Sequence, residues 1–428
     1  MTVKISYISP NKSTIAYHRV LIFQQQADRN VNVNTKMKEP WSKQHKREFK
    51  ECKFSLSNSF AEPLSQPELV KLTNARGDTD LLDLYHNHQL EYVPNGGSLD
   101  LRHDIARVVY ENKLSAHHIL VFPGGQIAIQ TAALAFATNG CHSIVFTPGY
   151  QSTVESPEWA VGNGGITKIA RQPENQWQVD PRKLREAIRE NTKFVILNEP
   201  YNPGGIVMNS ELQHEVIEIC RQHDITILCD EVYRLLEHNP AETRIPAMAN
   251  AYERGISAVA MSKPWGGCGI TIGWLACSDL NMIQKLVDVQ YFGTACVSRA
   301  SEIQARMVLG ASDVILEERL SIIRQNKKLL QDFIERRYCE WFSWNIPNAG
   351  AIAFVEFKGP WTSSEFGRHL AQAGISIKPA YCFTHDVSSE VENYFRVGFG
   401  ERKMPFALEA LSDFVEAHQV SWRQAMMS

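Results

Sequence analysis

Lys263 is the residue of this chain best placed for covalent chemistry. It follows an apolar stretch, residues 256–261, and precedes four glycines at positions 266, 267, 269 and 273. A lysine amine that is partly desolvated at the end of a buried strand loses proton affinity and becomes a nucleophile toward an aldehyde, as in a Schiff base. A lone lysine on a loop is more often simply solvated, so this interpretation depends on the residues that accompany Lys263.

The elements that position this lysine belong to an alternating pattern of strands and helices. Short apolar runs are separated by helical patterns, and they occupy residues 119–122, 143–146, 194–197, 225–229, 258–261 and 272–277. Continuous apolar strands are typical of a parallel sheet that is covered by helices on both faces. The pattern therefore predicts an α/β fold, in which ligands lie beyond the carboxyl ends of the strands.

The residues that follow these runs form a chemically coherent set. Gly125 and Gln126 open a predicted helix, whose free amides suit a phosphate. Tyr150 either stacks on a flat ring or simply packs. Asn202 lies between two prolines that fix its backbone. Asp230 comes directly after an apolar run and is costly to bury without a cationic partner, which a protonated pyridine nitrogen would provide.

Composition excludes several other classes of protein. The 428 residues carry a formal net charge of −3, which gives no electrostatic case for nucleic acid or for an anionic membrane. The nine cysteines form no C-x-x-C pair, so they indicate reduced thiols in a cytoplasmic protein and no metal site. No apolar run approaches the ~18–20 residues of a membrane span.

Three motifs occur in order along the chain. They are Asn202-Pro203-Gly204-Gly205, Asp230-Glu231-Val232-Tyr233, and Ser262-Lys263 followed by Gly269, Gly273 and Trp274. Together they resemble the class I/II aminotransferases and other fold-type-I enzymes that use pyridoxal 5′-phosphate (PLP). The intervals are also usual for that family, with 28 residues from Asn202 to Asp230 and 33 from Asp230 to Lys263. Each motif alone is modestly specific, but the probability of chance agreement of all three in this order and spacing is very small.

The resemblance implies a role for each residue of the reacting centre. Lys263 would hold PLP as a Schiff base, the internal aldimine, and then move the alpha proton of the substrate. Asp230 would keep the pyridine nitrogen protonated. Asn202 and Tyr233 would hydrogen-bond the phenolic oxygen of the ring. Arg396, a planar fork suited to a carboxylate, would bind the substrate together with Asn202.

The resemblance also implies the rest of the cofactor site. Tyr150 would stack on the ring, and Gly125, Gln126 and Ser262 would hold the phosphate. Tyr92 is similar to the tyrosine that reaches the phosphate of the neighbouring subunit, which implies a homodimer with composite active sites.

The family fold implies a division into domains. Residues 88–320 would form the large PLP-binding domain, with a mostly parallel, helix-sandwiched sheet. Residues 53–87 with 321–428 would form a smaller α+β domain. Residues 1–52 are expected to be an arm. Three interpretations of its first part stay open: a disordered segment, an organellar transit peptide, and a stretch upstream of a true start at Met37.

Departures from the family pattern leave the reaction open. Thr271 stands where the family has a phosphate-binding arginine, and Ala260 where it often has a serine. Transamination is the first interpretation. The alternatives are a PLP lyase or cyclase similar to the capreomycidine-synthase subgroup, which cyclises hydroxylated arginine, and a catalytically silent or regulatory relative. Contacts to the substrate side chain also stay open, with Glu62, Tyr381 and the backbone around Asn58 as candidates.

Overall fold

A seven-stranded sheet forms the centre of the computed structural model, which describes residues 40–160, 165–384 and 391–427. The strand order is β2-β8-β7-β6-β5-β3-β4. Only β8 runs antiparallel to its neighbours, so the predicted mostly parallel α/β sheet is confirmed. The strands are β2 Ile119–Phe122, β3 His142–Thr147, β4 Ile166–Ala170, β5 Thr192–Asn198, β6 Thr226–Asp230, β7 Gly255–Ala260 and β8 Gly273–Cys277.

The register of the central strands brings the site residues to one edge of the sheet. Asp230 ends β6 and lies opposite Asn198, the last residue of β5, and Ala258 of β7. Each of the six apolar runs in the sequence corresponds to one of these strands. The strand β4 was not predicted, because it is the half-buried edge strand and its Thr167 and Lys168 interrupt the apolar run.

Helices cover the sheet, and several of them begin at a residue whose side chain caps the first turn. Ser98 caps one of them, since its Oγ accepts a hydrogen bond from the amide of Leu101 at 3.3 Å. The helices are α2 Gln66–Ala75, α3 Thr79–Asn87, α4 Leu99–Tyr110, α5 Gly125–Phe136, α6 Gln151–Glu155, α7 Pro181–Ala187, α8 Ser210–Gln222, α9 Pro240–Thr243, α10 Met248–Ala251, α11 Leu280–Gly293, α12 Arg299–Gly310 and α13 Ser312–Gln331.

A second, antiparallel sheet follows α13. Its order is β12-β13-β10-β9, and a short parallel pair of strands, β1 and β11, lies beside it. The elements are β1 Phe54–Ser55, β9 Phe342–Trp344, β10 Ile352–Phe357, α14 Ser363–Gln372, β11 Ile375–Ser376, β12 Lys378–Pro379, β13 Tyr394–Gly398 and α15 Met404–Met427. One face of this sheet is buried in an aromatic core that includes Phe366, Phe395 and Trp422.

The helix α1, Trp41–Glu48, connects the two sheets. The amide of Trp41 donates to Gln151 Oε1 at 2.8 Å, on the side of the large sheet. His45 Nε2 donates to the carbonyl of Ile377 at 2.8 Å, on the side of the small one. Residues 41–48 thus form a helix inside the predicted arm of residues 1–52, whereas residues 1–39 lie outside the described part.

The division into a large and a small domain stays a prediction, since the described residues from Trp41 onward form one compact unit. The helices α2 and α3, from the stretch assigned to the small domain, contribute Leu69 and Leu81 to the same core as Leu101 and Ile105 of the large one. No helix within the described residues has the length and apolar character needed to cross a bilayer.

Candidate active site

A cavity of about 350 Å³ lies beyond the carboxyl ends of β5, β6 and β7. Parallel strands place their carboxyl ends at one edge of the sheet, where such sheets bind ligands. The cavity brings together every residue predicted for the cofactor and the reacting centre except Tyr92 and Arg396. Those that line it are Gly125, Gln126, Tyr150, Asn202, Asp230, Tyr233, Ser262 and Lys263. The candidates for the substrate side chain, Glu62, Tyr381 and Asn58, do not line it.

Asp230 is a buried carboxyl group at the floor of this cavity, only 3% exposed. Burial raises its pKa to about 7, although the hydrogen bond from the Val232 amide and the positive charge of Lys263 both act to lower it. Among the described residues, no cationic side chain lies within ion-pair distance of Asp230. A ligand with a positively charged nitrogen would therefore satisfy this carboxylate.

Lys263 lies in the turn after β7 and is the positively charged side chain of the cavity wall. Its Nζ donates to Ser59 Oγ at 3.0 Å. Burial lowers the pKa of the amine to about 8, and the positive charge of Arg396 acts in the same direction. The amine is therefore more easily deprotonated than an exposed lysine, which is the condition for nucleophilic and base chemistry.

The middle of the cavity is lined by groups that suit a flat, oxygen-bearing ring. Tyr233 Oη is buried without a hydrogen-bond partner among the described residues, although the nearby Ser59 hydroxyl lowers its pKa somewhat. Burial nevertheless raises the pKa of Tyr233 to about 12. The backbone of Asn202 is fixed by a hydrogen bond from its amide to Asn198 Oδ1 at 2.6 Å. Tyr150 accepts a hydrogen bond from Gln126 Nε2 at 2.6 Å.

The other end of the cavity is formed by the first turn of α5. A Cβ at Gly273 would lie 2.6 Å from the amide nitrogen of Gly125, so the close approach of β8 to this turn requires glycine there. Thr271 also lines this end and adopts a positive φ of 58°, a rare conformation for a β-branched residue. Among the described residues that line the cavity, Lys263 carries the only positive side chain.

Arg396 and Tyr92 lie outside the cavity wall, in different surroundings. Arg396 is 2% exposed, and it donates from Nη1 to Asn202 Oδ1 at 2.9 Å and from Nη2 to the carbonyl of Ser57 at 2.8 Å. It therefore lies directly behind a cavity residue. Tyr92 is 86% exposed and contacts no part of the cavity of its own chain.

Two polar side chains of the cavity wall, Ser59 and Cys268, were not among the predicted site residues. Ser59 contacts Lys263, and Cys268 lines the wall and donates its thiol to the carbonyl of Ser262 at 3.2 Å. The polar run 57–59, which interrupts a segment with buried Leu56 and Ala61, is the signal that would have identified Ser59.

The chain matches the family described as "Aminotransferase class I and II" over residues 66–411, which is most of its length. It belongs to that family.

Individual relatives of this aminotransferase are distant. An aspartate aminotransferase of Musicola paradisiaca is 23% identical over 278 residues, which cover 64% of this chain and 68% of that protein. A capreomycidine synthase of Streptomyces vinaceus is 23% identical over 312 residues, or 71% of this chain and 75% of that protein. A solved PLP-dependent aminotransferase from Streptococcus suis superimposes with a TM-score of 0.81 at 24% identity, over 90% of this chain and 99% of that one. That likeness shows the fold.

Aminotransferases of this class use PLP, and the cavity fits this group. The buried carboxyl of Asp230 suits the pyridine nitrogen, and the unpartnered hydroxyl of Tyr233 suits the phenolic oxygen. The free amides at the start of α5 suit the phosphate. The fit is weakest at the phosphate, because no arginine of the described residues lines that end of the cavity.

Proposed function

We propose that this aminotransferase exchanges an amino group between an L-amino acid and a 2-oxo acid, with Lys263 as the residue that binds PLP covalently. The observation that carries the proposal is the pairing of a buried amine and a buried carboxyl group, Lys263 and Asp230, in one cavity. Each side chain lacks an oppositely charged side chain within ion-pair distance among the described residues. Pyridoxal phosphate would give each of them a partner.

Each cavity residue has a task in this proposal. PLP supplies a ring that withdraws electrons from the α-carbon of the substrate. Asp230 keeps the ring nitrogen protonated, while Tyr233 and Asn202 hydrogen-bond the phenolic oxygen. Tyr150 packs on the ring face. The phosphate is held by Ser262 and by the amides of Gly125 and Gln126.

Lys263 then serves as the base that removes the α proton. Its lowered pKa, about 8, gives a useful fraction of neutral amine near neutral pH. Ser59 Oγ accepts a hydrogen bond from Nζ and orients it in the cavity. Arg396 would bind the substrate α-carboxylate. Its hydrogen bonds to Asn202 Oδ1 and to the carbonyl of Ser57, which hold it next to the cavity, support this role.

A homodimer in the cytoplasm is part of the same proposal. Leu90 and Tyr92 are 96% and 86% exposed, and Tyr291 and Phe292 at the end of α11 are 71% and 90% exposed. Contiguous patches of exposed apolar side chains mark protein interfaces, and in this proposal these residues lie at the contact between the subunits. Tyr92 would then reach the phosphate of the other subunit. The nine cysteines are all free thiols, which supports a reducing compartment.

The decisive experiment follows the cofactor and the products together. The protein with bound PLP is reduced with borohydride and digested, and the peptide that carries the reduced cofactor should contain Lys263. In a second arm, single amino acids are added to unreduced enzyme. A transaminase converts the bound cofactor to its pyridoxamine form and releases a 2-oxo acid, whereas a lyase or cyclase releases ammonia or water without that conversion. Label on another lysine, or turnover without cofactor conversion, would contradict the proposal.

A further inference from the structure

Lys378 is a second cation on the face of the small sheet that carries Arg396. The two residues are direct partners in the antiparallel pair β12–β13. Residues that lie opposite each other in such a pair project on the same face. Their chain neighbours Ile377 and Phe395 are buried in the core on the other face. Since Arg396 reaches Asn202 of the cavity, Lys378 lies on the face that is turned toward the active site.

Lys378 has no protein partner for its charge among the described residues. It is half-buried, and no carboxylate of that part of the chain lies within ion-pair distance of its Nζ. Burial lowers its pKa to about 8, and the positive charges of Arg396 and Lys263 act in the same direction. A half-buried, unpaired cation beside two others is unfavourable in the free protein unless a ligand neutralises it.

Two acidic side chains of the described residues in this region, Glu48 and Glu401, are already engaged by other partners. Glu48 Oε2 accepts the hydroxyl hydrogen of Tyr381. Glu401 accepts a hydrogen bond from Asn58 Nδ2 at 2.6 Å and pairs with Lys403 Nζ at 3.0 Å. Arg396 and Lys378 therefore carry two positive charges on this side of the site, whereas one α-carboxylate would neutralise only one of them.

We propose that Lys378 is a specificity-determining residue that binds a second anionic group, carried by the side chain of the amino acid substrate. The inference rests on the proposed transamination and adds the class of substrate. Neighbouring strands lie about 4.8 Å apart. The side chains of Arg396 and Lys378 therefore leave adjacent strands at about this spacing. Two anionic groups of a substrate that are joined by two or three carbon atoms, with bonds of about 1.5 Å, can span it. Either a carboxylate or a phosphate on the substrate side chain would supply the negative charge that Lys378 requires.

The experiment compares substrates that differ in charge at nearly constant shape. Values of kcat/KM are measured for aspartate against asparagine, glutamate against glutamine, and O-phosphoserine against serine. The wild type should prefer an acidic member by at least about tenfold, the size of one charge-assisted hydrogen bond. Lys378→Met should remove most of that preference while leaving the neutral member unchanged. The substrate pair with the larger preference for its acidic member, carboxylate or phosphate, identifies which anionic group Lys378 binds.

Two further variants separate charge from packing. Lys378→Arg keeps the charge and should restore part of the preference. Lys327→Met is the matched control, since Lys327 is also half-buried with a lowered pKa but contacts His238. It should leave the preference unchanged.

Binding of unreactive acids to the PLP-loaded enzyme gives a readout that is independent of turnover. Calorimetry should show that Lys378→Met lowers the affinity for succinate by about 10- to 100-fold and leaves the affinity for propionate unchanged. Equal weakening of both acids, or a wild type that prefers neutral amino acids, would overturn the role of Lys378. A wild type that binds PLP but transfers no amino group would instead overturn the proposed function, so the two failures are distinguishable.

Discussion

The substitution Asp230→Asn should stabilise the cofactor-free protein while it disables the enzyme. Asp230 is 3% exposed, and burial is the main reason that its pKa is raised to about 7. Asparagine has nearly the same shape and carries no charge. The substitution therefore removes the cost of ionising a buried carboxyl group, and it also removes the partner for the ring nitrogen of PLP.

The sign and the size of the effect follow from the pKa of Asp230 in the two states. The folded pKa of about 7 lies above the ordinary value of 3.8, so the folded protein binds this proton more tightly than the unfolded chain between those pH values. The free energy of unfolding of the wild type therefore falls as the pH rises from about 4 to about 7, by roughly 4 kcal/mol. The free energy of unfolding of Asp230→Asn should not fall in this way. The variant also loses the attraction between Asp230 and Lys263, which reduces the gain in stability. We expect a net gain of about 2–4 kcal/mol at pH 8 and almost none at pH 4.

The assay is urea unfolding of the cofactor-free protein at several pH values between 4 and 8. Asp413→Asn, a change of an exposed aspartate on α15, is the control and should not alter the pH profile. Transamination by Asp230→Asn should fall by at least about 10²-fold. A variant that is no more stable than the wild type at pH 8 would refute the reasoning. A gain that is the same at every pH would also refute it, because the effect would then not come from ionisation of this carboxyl group.

Three further substitutions test the other groups of the site. Lys263→Ala should abolish covalent attachment of PLP, seen as loss of its visible absorbance, and should lower turnover by about 10²–10⁴-fold or more; retained turnover would contradict the assignment. Thr271→Arg should tighten PLP binding in equilibrium dialysis by about tenfold or more, since it adds a charge-assisted contact of about 1.5–3 kcal/mol; an unchanged Kd would mean that another cation already fills that place. Arg396→Gln should raise KM for the amino acid on the order of 10²-fold at an unchanged Kd for PLP, whereas a parallel loss of PLP would indicate a role in folding.

The sequence was sufficient to predict six of the seven strands of the large sheet and the site residues at their ends. Asn202, Asp230 and Lys263 follow buried apolar runs, and the geometry of a parallel sheet brings such residues together. Ser59 and Lys378 were not predicted as site residues, because their places depend on contacts over long sequence distances. Ser59 reaches Lys263 across 204 residues, and Lys378 faces the site only through its register with Arg396.

The buried charges of this protein divide into those that the chain satisfies and those that it leaves for ligands. Arg171 and Glu199 form a buried ion pair at 2.9 Å, and the guanidinium also stacks on Tyr201 at 4.1 Å from the ring centroid. Glu199 is directly connected to the site, since its amide donates to the carbonyl of Asp230 at 3.1 Å. The carboxyl of Asp230 itself has no such partner in the described residues. The ends of two neighbouring strands, β5 and β6, therefore contain one acid that is paired for stability and one that is left unpaired, and only the second needs a cofactor. The unpaired carboxyl marks the place where folding stability is given up for binding.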